Sequence, residues 1–287
     1  MADEPEHRML FDLRGRRKRV IQVIYVLLAI LMGASLLLLG GSSTLGLQNL
    51  FGGDTSVNKS ASDANVARAN DLQTKFNQQP KNGNLAKELI RARFSAGNSL
   101  YAVDPDTQTT SITDDATTQL EMAAETWTKY LKITNDNPDP EVAQLMANVL
   151  FTLSQGSTVA QFQSNIKDAA KAQQFVADSA VKEQKNGGAS AATQLTTLAI
   201  YQLYAQDYAA AEKTLNQALA ATSDSAEKKQ IKQTYNSSEK DAKRVGKLID
   251  KALKQAKKDG GKSLENPLGS LGSDTSITGA SGATTTP

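Results

Sequence analysis

The chain has 287 residues, with 32 Lys or Arg against 30 Asp or Glu, a single histidine and no cysteine. The lack of cysteine excludes disulfides, thiol catalysis and every cysteine-ligated zinc or iron–sulfur site. Because the one histidine, His7, lies close to the N-terminus, the rest of the chain has no imidazole for a Ser–His nucleophile or a metal ligand. We therefore expect that the protein is not an enzyme and holds no cofactor or metal.

The most apolar stretch of the chain directly follows a basic cluster. The cluster consists of Arg14, Arg16, Arg17, Lys18 and Arg19. In the run from Val20 to Gly40, only Gln22 and Ser35 are clearly polar. As a helix this run would reach about 30 Å, which is the thickness of the hydrocarbon core of a bilayer. The sequence therefore predicts a single transmembrane helix over 20–41.

The same cluster predicts the topology of the protein. Positively charged flanks stay in the cytoplasm, so residues 1–19 are expected to form a cytoplasmic arm and the chain beyond the helix to be exported. A cleaved signal peptide is the alternative, although its apolar core would usually be only about 7 to 15 residues long. Within the helix, Ala29 and Gly33 form a small-xxx-small pair that offers a contact for a homodimer.

Beyond this predicted anchor, the sequence is typical of an all-α protein. Residues 42–62 are rich in Gly, Ser, Thr and Asn and indicate a linker. From 63 to 258 the strong helix formers Ala, Gln, Leu, Glu and Lys dominate. Polar, Gly and Pro breaks divide this part into predicted helices over 63–78, 84–101, 115–133, 139–154, 159–184, 190–205, 208–221 and 225–258. The tail, 259–287, is rich in Ser, Thr and Gly and is expected to be disordered.

One pair of predicted helices carries a repeat-like pattern of large and small side chains. The pattern consists of Leu195, Leu198 and Ala199 on the first helix and Tyr208, Ala211, Leu215 and Ala218 on the second. It resembles the tetratricopeptide repeat (TPR), a helix pair of about 34 residues. Gln202 departs from the family pattern, which favours an aromatic there, and so does Ser223, where proline is favoured. The resemblance implies a TPR-like α-solenoid of about three to four helix pairs.

The resemblance also implies a groove that binds a partner. The inner face of such a solenoid is lined from the first helix of each pair, here by Thr193, Thr196, Ile200 and Leu203. These side chains are neutral or apolar, whereas repeats that clamp a C-terminal carboxylate carry Lys and Asn. A groove of this kind would suit an apolar or extended polypeptide.

Two motifs resemble binding sites but are better explained as structural features. The segment from Asn135 to Glu141 carries oxygen side chains as a calcium loop does, but Pro140 stands where an EF-hand needs glycine. A helix start explains it better, with Asp139 as N-cap and Pro140 at the first helical position. Trp127 and Tyr130, at i, i+3 on an Ala-rich helix, indicate core packing rather than a ligand-stacking pair.

The last predicted helix is strongly basic. Residues 240–262 hold nine Lys or Arg against three Asp, with apolar residues at helical spacing between them. Because this segment is expected to be exported, nucleic acid is not a predicted partner. The pattern favours a helix that caps the solenoid with one face buried, and contact with anionic lipid headgroups remains the alternative.

Together these features predict a membrane-anchored, extracytoplasmic scaffold that binds a protein or polypeptide partner. The plan is similar to that of bacterial single-pass TPR proteins that accompany the Sec translocon and assist exported polypeptides. One alternative is a structural scaffold for envelope assembly with one stable partner. The other is a hydrolase that uses paired carboxylates, which can do acid–base work without histidine.

Overall fold

The computed structural model describes residues 55–103, 110–155 and 158–259. Within these ranges the chain is helical, apart from a two-residue antiparallel pairing of β1 (Ala102–Val103) with β2 (Thr110–Ser111). The helices are α1 Thr55–Gln78, α2 Gly83–Ser99, α3 Asp114–Ile133, α4 Pro140–Ser154, α5 Val159–Lys185, α6 Ala192–Tyr204, α7 Tyr208–Ala220 and α8 Ser225–Asp259. The predicted all-α fold is confirmed for the described part of the chain.

The predicted anchor lies outside the described residues. This holds for the helix over 20–41 with Ala29 and Gly33, for the basic cluster that precedes it, and for the predicted tail from 260 onward. Among the helices that the structure describes, none combines the length and apolar character that a membrane crossing requires.

The helix boundaries agree with the predicted ones to within two residues, except at the start of α1. That helix begins at Thr55, so it includes the last eight residues of the predicted linker, 42–62. Residues 55–62 contain neither glycine nor proline, and a helix that starts in polar sequence can continue through them. The polar composition that indicated a linker was therefore a poor guide to this boundary.

Polar side chains at the predicted breaks cap the helices. Asn82 accepts hydrogen bonds from two backbone N–H groups at the start of α2, and Thr113 accepts one at the start of α3. Thr158 forms a capping box with Gln161 at the start of α5, and Asp207 caps α7. Each cap satisfies donors that a helix N-terminus leaves unpaired, which explains why these helix starts could be predicted from local sequence.

Helices that are neighbours in sequence pack against each other, and α8 also packs against α6. In the α2–α3 pair, Gly83 lies near Tyr130 and Ile133, and Gly97 lies near Leu120, so the two helices run antiparallel. The most enclosed helix is α6, of whose 13 residues nine are buried. It lies against α5, α7 and α8, and it forms the centre of the C-terminal half of the domain.

Aromatic side chains fill the main core. Trp127 and Tyr130 are 4% and 3% exposed, and their rings lie 5.9 Å apart, so the prediction that they are core residues is confirmed. Phe151 stacks on Tyr201 with a centroid distance of 5.1 Å and meets the edge of Tyr204 at 6.2 Å. These contacts join α4 to α6 within one continuous hydrophobic cluster.

Small residues allow α6 and α7 to approach closely. Ala199, Ala211 and Ala218 are fully buried, Leu198 is nearly so, and Leu215 is half-buried at the edge. The turn between these helices is short, and it places Gln206 in the left-handed region with φ 62°. The residues of the repeat-like pattern thus lie at a real helix–helix contact.

Candidate binding surfaces

The four residues of the predicted groove do not form one open surface. Thr193 is exposed, but Thr196, Ile200 and Leu203 are 9%, 1% and 0% exposed. The hydroxyl of Thr196 donates to the backbone oxygen of Ala192 at 2.7 Å, as in an ordinary helix interior. The helix α6 lies against α5, α7 and α8, so that Ile200 and Leu203 belong to the main hydrophobic cluster and Thr196 is buried as well. This corrects the groove prediction, of which only Thr193 remains at the surface.

Both α4 and α6 carry uncharged polar side chains that are exposed or half-buried. We use the name uncharged strip for four of them, Gln144 and Asn148 on α4 and Thr193 and Thr197 on α6. The hydroxyl of Tyr201 donates to Oδ1 of Asn148 at 3.4 Å, which links the two helices at this strip. Its amides and hydroxyls can exchange hydrogen bonds with a polypeptide backbone.

Two tyrosines of α6 are structural. Tyr201 and Tyr204 are 0% and 2% exposed, and burial raises the pKa of both hydroxyl groups above the ordinary value. Tyr208, at the start of α7, is only half-buried. A ligand could therefore reach Tyr208 without repacking the core, but not the other two rings.

A buried arginine on α2 has amide partners instead of a carboxylate. Arg93 is 2% exposed, and its Nη1 donates to Oδ1 of Asn70 at 2.9 Å and to Oε1 of Gln119 at 2.7 Å. Its Nε has no hydrogen-bond partner, and burial lowers the pKa of the guanidinium. Sequence reasoning missed this residue, because arginine is almost never fully buried and is therefore expected at the surface of a helix.

We expect Arg93→Met to leave the free energy of unfolding unchanged or to raise it by about 1 kcal/mol. A buried charge without a counterion is costly, and a methionine of similar length removes that cost. Asn70 is exposed and Gln119 half-buried, so both amides can turn to water. Urea unfolding followed by the fluorescence of the single tryptophan, Trp127, measures this. Arg93→Lys, which keeps the charge but cannot reach both amides, should be destabilising, and the reverse order of the two variants would contradict the assignment.

The segment between α3 and α4 is organised by caps and ion pairs. Asp139 accepts a hydrogen bond from the backbone N–H of Glu141 at 3.0 Å, and Lys87 lies 3.2 Å from its second carboxylate oxygen. Pro140 is the first residue of α4, so the predicted helix start is confirmed. Asp136, in the left-handed region, pairs with Lys171 at 3.1 Å. Both aspartates of the loop therefore have lysine partners.

Asp139 makes the stability of the domain depend on pH. Burial alone would raise the pKa of this carboxyl, but the hydrogen bonds from Lys87 and Glu141 and the charges of Lys87 and Arg91 hold it below the ordinary value. Its contribution is present above the unfolded-state pKa, about 3.9, and is lost as pH falls through the folded-state pKa. Asp139→Asn, which keeps a cap, should cost about 0.5–1 kcal/mol at pH 7. Urea unfolding at pH 7 and pH 3 tests this, and an equal cost at both pH values would contradict it.

The last helix, α8, separates a buried face from a charged one. The buried residues recur every three or four positions and are Ile231, Tyr235, Ser238, Ala242, Val245 and Ile249. The exposed ones on the opposite side recur in the same way and form what we call the basic stripe: Lys240, Arg244, Lys247, Lys251, Lys254 and Lys258. The prediction that this helix buries one face is confirmed. The structure adds which of its basic residues lie together on the exposed face.

Signals of an active site are weak in the described part of the chain. Across residues 55–103, 110–155 and 158–259, no group of three or more His, Cys, Asp or Glu is placed to hold a metal ion. Among the Asp and Glu side chains whose burial is described, from 60 to 258, none is buried, so no buried carboxylate pair of the kind that the hydrolase alternative requires is found there. Comparison with protein-family models, with curated proteins and with solved structures gave no match. Function is therefore inferred from the fold, surface and charge of this chain.

Proposed function

We propose that the protein is a membrane-anchored scaffold whose exported helical domain binds a polypeptide partner. The observation that carries this proposal is the succession of helix pairs α2–α3, α4–α5 and α6–α7, in which each helix packs mainly on its sequence neighbours. Arrays of this kind present extended surfaces and commonly serve as binding platforms. The predicted anchor over 20–41 would hold this platform at the membrane.

Within this proposal the domain is a TPR-like α-solenoid of three helix pairs closed by α8. The α6–α7 pair is its best support, since both helices have 13 residues and their contact is made by small side chains. The first helices of the three pairs begin at Gly83, Pro140 and Ala192, a wider spacing than a repeat of about 34 residues. The 14-residue connection from 100 to 113 and the longer helices α3 and α5, of 20 and 27 residues, together account for most of the difference.

The uncharged strip is the proposed binding surface. It replaces the groove expected from the sequence, because Ile200 and Leu203 are core residues while Asn148 and Thr193 are exposed. Neutral donors and acceptors suit the main chain of an extended polypeptide and do not select strongly for side-chain charge. Such a surface fits assistance to exported polypeptides, which differ in sequence and share only a backbone.

A photocrosslinking amino acid at position 193, in intact cells, tests the proposal. We expect adducts with polypeptides at this position and none from the same amino acid at position 217, an exposed site on α7. Many transient exported adducts would support handling of exported polypeptides. One stable adduct would support the envelope-assembly alternative instead. Absence of adducts at position 193, or equal adducts at both positions, would contradict binding at the strip.

A further inference from the structure

We infer that the basic stripe of α8 docks on anionic lipid headgroups of the membrane in which the protein is anchored. This inference rests on the membrane anchorage in the proposed function. It would give the domain a second contact with the bilayer, besides the predicted anchor, and would fix which side of the domain faces the lipid.

The geometry of α8 gives the stripe a fixed direction. Its opposite face is held in the core by Ala242, Val245 and Ile249, which are 1%, 4% and 1% exposed. The helix therefore cannot rotate to hide its lysines without exposing apolar side chains. From Lys240 to Lys258 the stripe extends about 27 Å at the usual helix rise of about 1.5 Å per residue. A straight row of this length matches a flat, extended array of charges better than a single small anion.

The lysines at the end of the stripe are not neutralised by neighbours in the described chain. Upstream, Lys243 pairs with Glu239 at 2.7 Å and Arg244 with Asp241 at 3.1 Å. Within the described ranges, no such ion pair engages Lys247 or the lysines at 251, 254, 257 and 258. Asp250 is the one acidic residue from 242 to 258. The C-terminal half of the stripe thus carries a concentrated, unbalanced positive charge.

The surroundings of the stripe favour headgroups rather than the hydrocarbon interior. An open depression on this face is lined by Lys247, Asp250, Lys251, Lys254, Gln255 and Lys258, all of them polar or charged. Lysines close to an anionic leaflet are attracted electrostatically, and the attraction falls off within a Debye length. The contact should therefore depend on anionic lipid and be weakened by salt. Since the segment is expected to be exported, lipid is a more accessible polyanion than nucleic acid.

The absence of cysteine from the chain permits a direct test with the full-length protein. Gln255→Cys, beside the stripe, is labelled with an environment-sensitive fluorophore, and the protein is reconstituted in nanodiscs. One set contains phosphatidylcholine alone, and the other contains about a third phosphatidylglycerol. We expect the probe to be protected from acrylamide quenching only in the anionic discs, with protection lost in about 0.5 M salt. A probe at Gln217→Cys, on α7, should be quenched equally in both.

Charge variants show whether the stripe itself makes the contact. Replacement of Lys247, Lys251 and Lys254 by Gln should abolish the protection at position 255. Replacement of Lys167 and Lys185 by Gln, on α5, removes charge elsewhere and should leave the protection unchanged. Trp127 fluorescence establishes that each variant is folded.

The outcomes separate this inference from the function on which it rests. If the protein enters both kinds of disc but the probe at 255 is quenched equally, lipid docking is wrong and the anchored scaffold is unaffected. Protection in the anionic discs that survives the stripe variant also overturns the inference. Protection by an added acidic polypeptide, but not by anionic lipid, would overturn it as well. Failure to enter either kind of disc would contradict the membrane anchorage itself.

Discussion

Leu203→Ala should lower the free energy of unfolding by about 2–5 kcal/mol, whereas Thr193→Ala should change it by less than about 0.5 kcal/mol. Both residues lie on α6, and both belong to the groove face that the sequence predicted. In the structure Leu203 is 0% exposed, while Thr193 is exposed. Truncation of Leu203 removes buried methyl groups and leaves a cavity, and truncation of Thr193 leaves none.

The cost at Leu203 should lie in the upper part of that range because its surroundings cannot collapse easily. It belongs to the main hydrophobic cluster, in which Phe151, Tyr201 and Tyr204 make ring contacts. Large rings held by several neighbours relax little into a cavity, so most of the lost contact energy is not recovered. Ile200→Ala, at a position that is 1% exposed, should behave in the same way.

Urea unfolding followed by Trp127 fluorescence measures both changes in one experiment. Trp127 is the single tryptophan of the chain and is 4% exposed, so its emission should shift strongly on unfolding. If Leu203→Ala were as mild as Thr193→Ala, the α6 face would be open and the groove predicted from the sequence would be restored. The experiment therefore decides between the two placements of this face.

Gly97→Ala should destabilise the domain by about 1–3 kcal/mol, although alanine is the better helix former. A Cβ at this position would lie 2.8 Å from Cδ2 and 3.0 Å from Cγ of Leu120, and 3.3 Å from the backbone oxygen of Ala116. Leu120 is 1% exposed and cannot move without displacing the core. The close approach of α2 and α3 at this point thus requires glycine.

Gly246→Ala is the matched control for this prediction, since it makes the same change inside another helix. Its Cβ would lie 3.4 Å from Nε2 of Gln206, which is ordinary van der Waals contact. The gain in helix propensity should then stabilise the domain by up to about 1 kcal/mol. Urea unfolding of the two variants should give shifts of opposite sign. Destabilisation by both, or by neither, would contradict the described packing of α2 on α3.

The helices could be predicted from the sequence because local signals mark their ends. Asn82, Thr113, Asp139, Thr158 and Asp207 are polar side chains at helix starts, and all of them cap in the structure. Local chemistry decides such positions, so no knowledge of the tertiary fold was needed. No glycine or proline stands between 55 and 62, and there the predicted start of α1, at 63, lay eight residues too late.

The orientation of α6 could not be predicted, for a reason that its own sequence shows. Apolar residues lie on nearly every side of this helix, and nine of its 13 residues are buried. Periodicity identifies a buried face only when an exposed face contrasts with it. Which side of α6 is covered by α8 depends on tertiary packing, because α8 begins 21 residues after Tyr204. No local sequence pattern in α6 indicates that contact.

In α8 an apolar face and a charged face are clearly distinct, so both could be predicted from the sequence. Lysines and apolar residues alternate at three and four positions along this helix. What the sequence left open was whether the apolar face would find a partner within the chain. The structure answers this with the contact to α6. The burial of Arg93 could not be predicted, because it depends on how α1, α2 and α3 pack together.

The location of the helical domain relative to the membrane is the central claim, and thiol labelling in intact cells tests it most directly. Because the chain has no cysteine, His7→Cys and Gln217→Cys each introduce a single reactive site. We expect a membrane-impermeant maleimide to label Gln217→Cys in intact cells, and to label His7→Cys only after permeabilisation. The opposite pattern, or labelling of neither variant before permeabilisation, would contradict an anchored, exported scaffold.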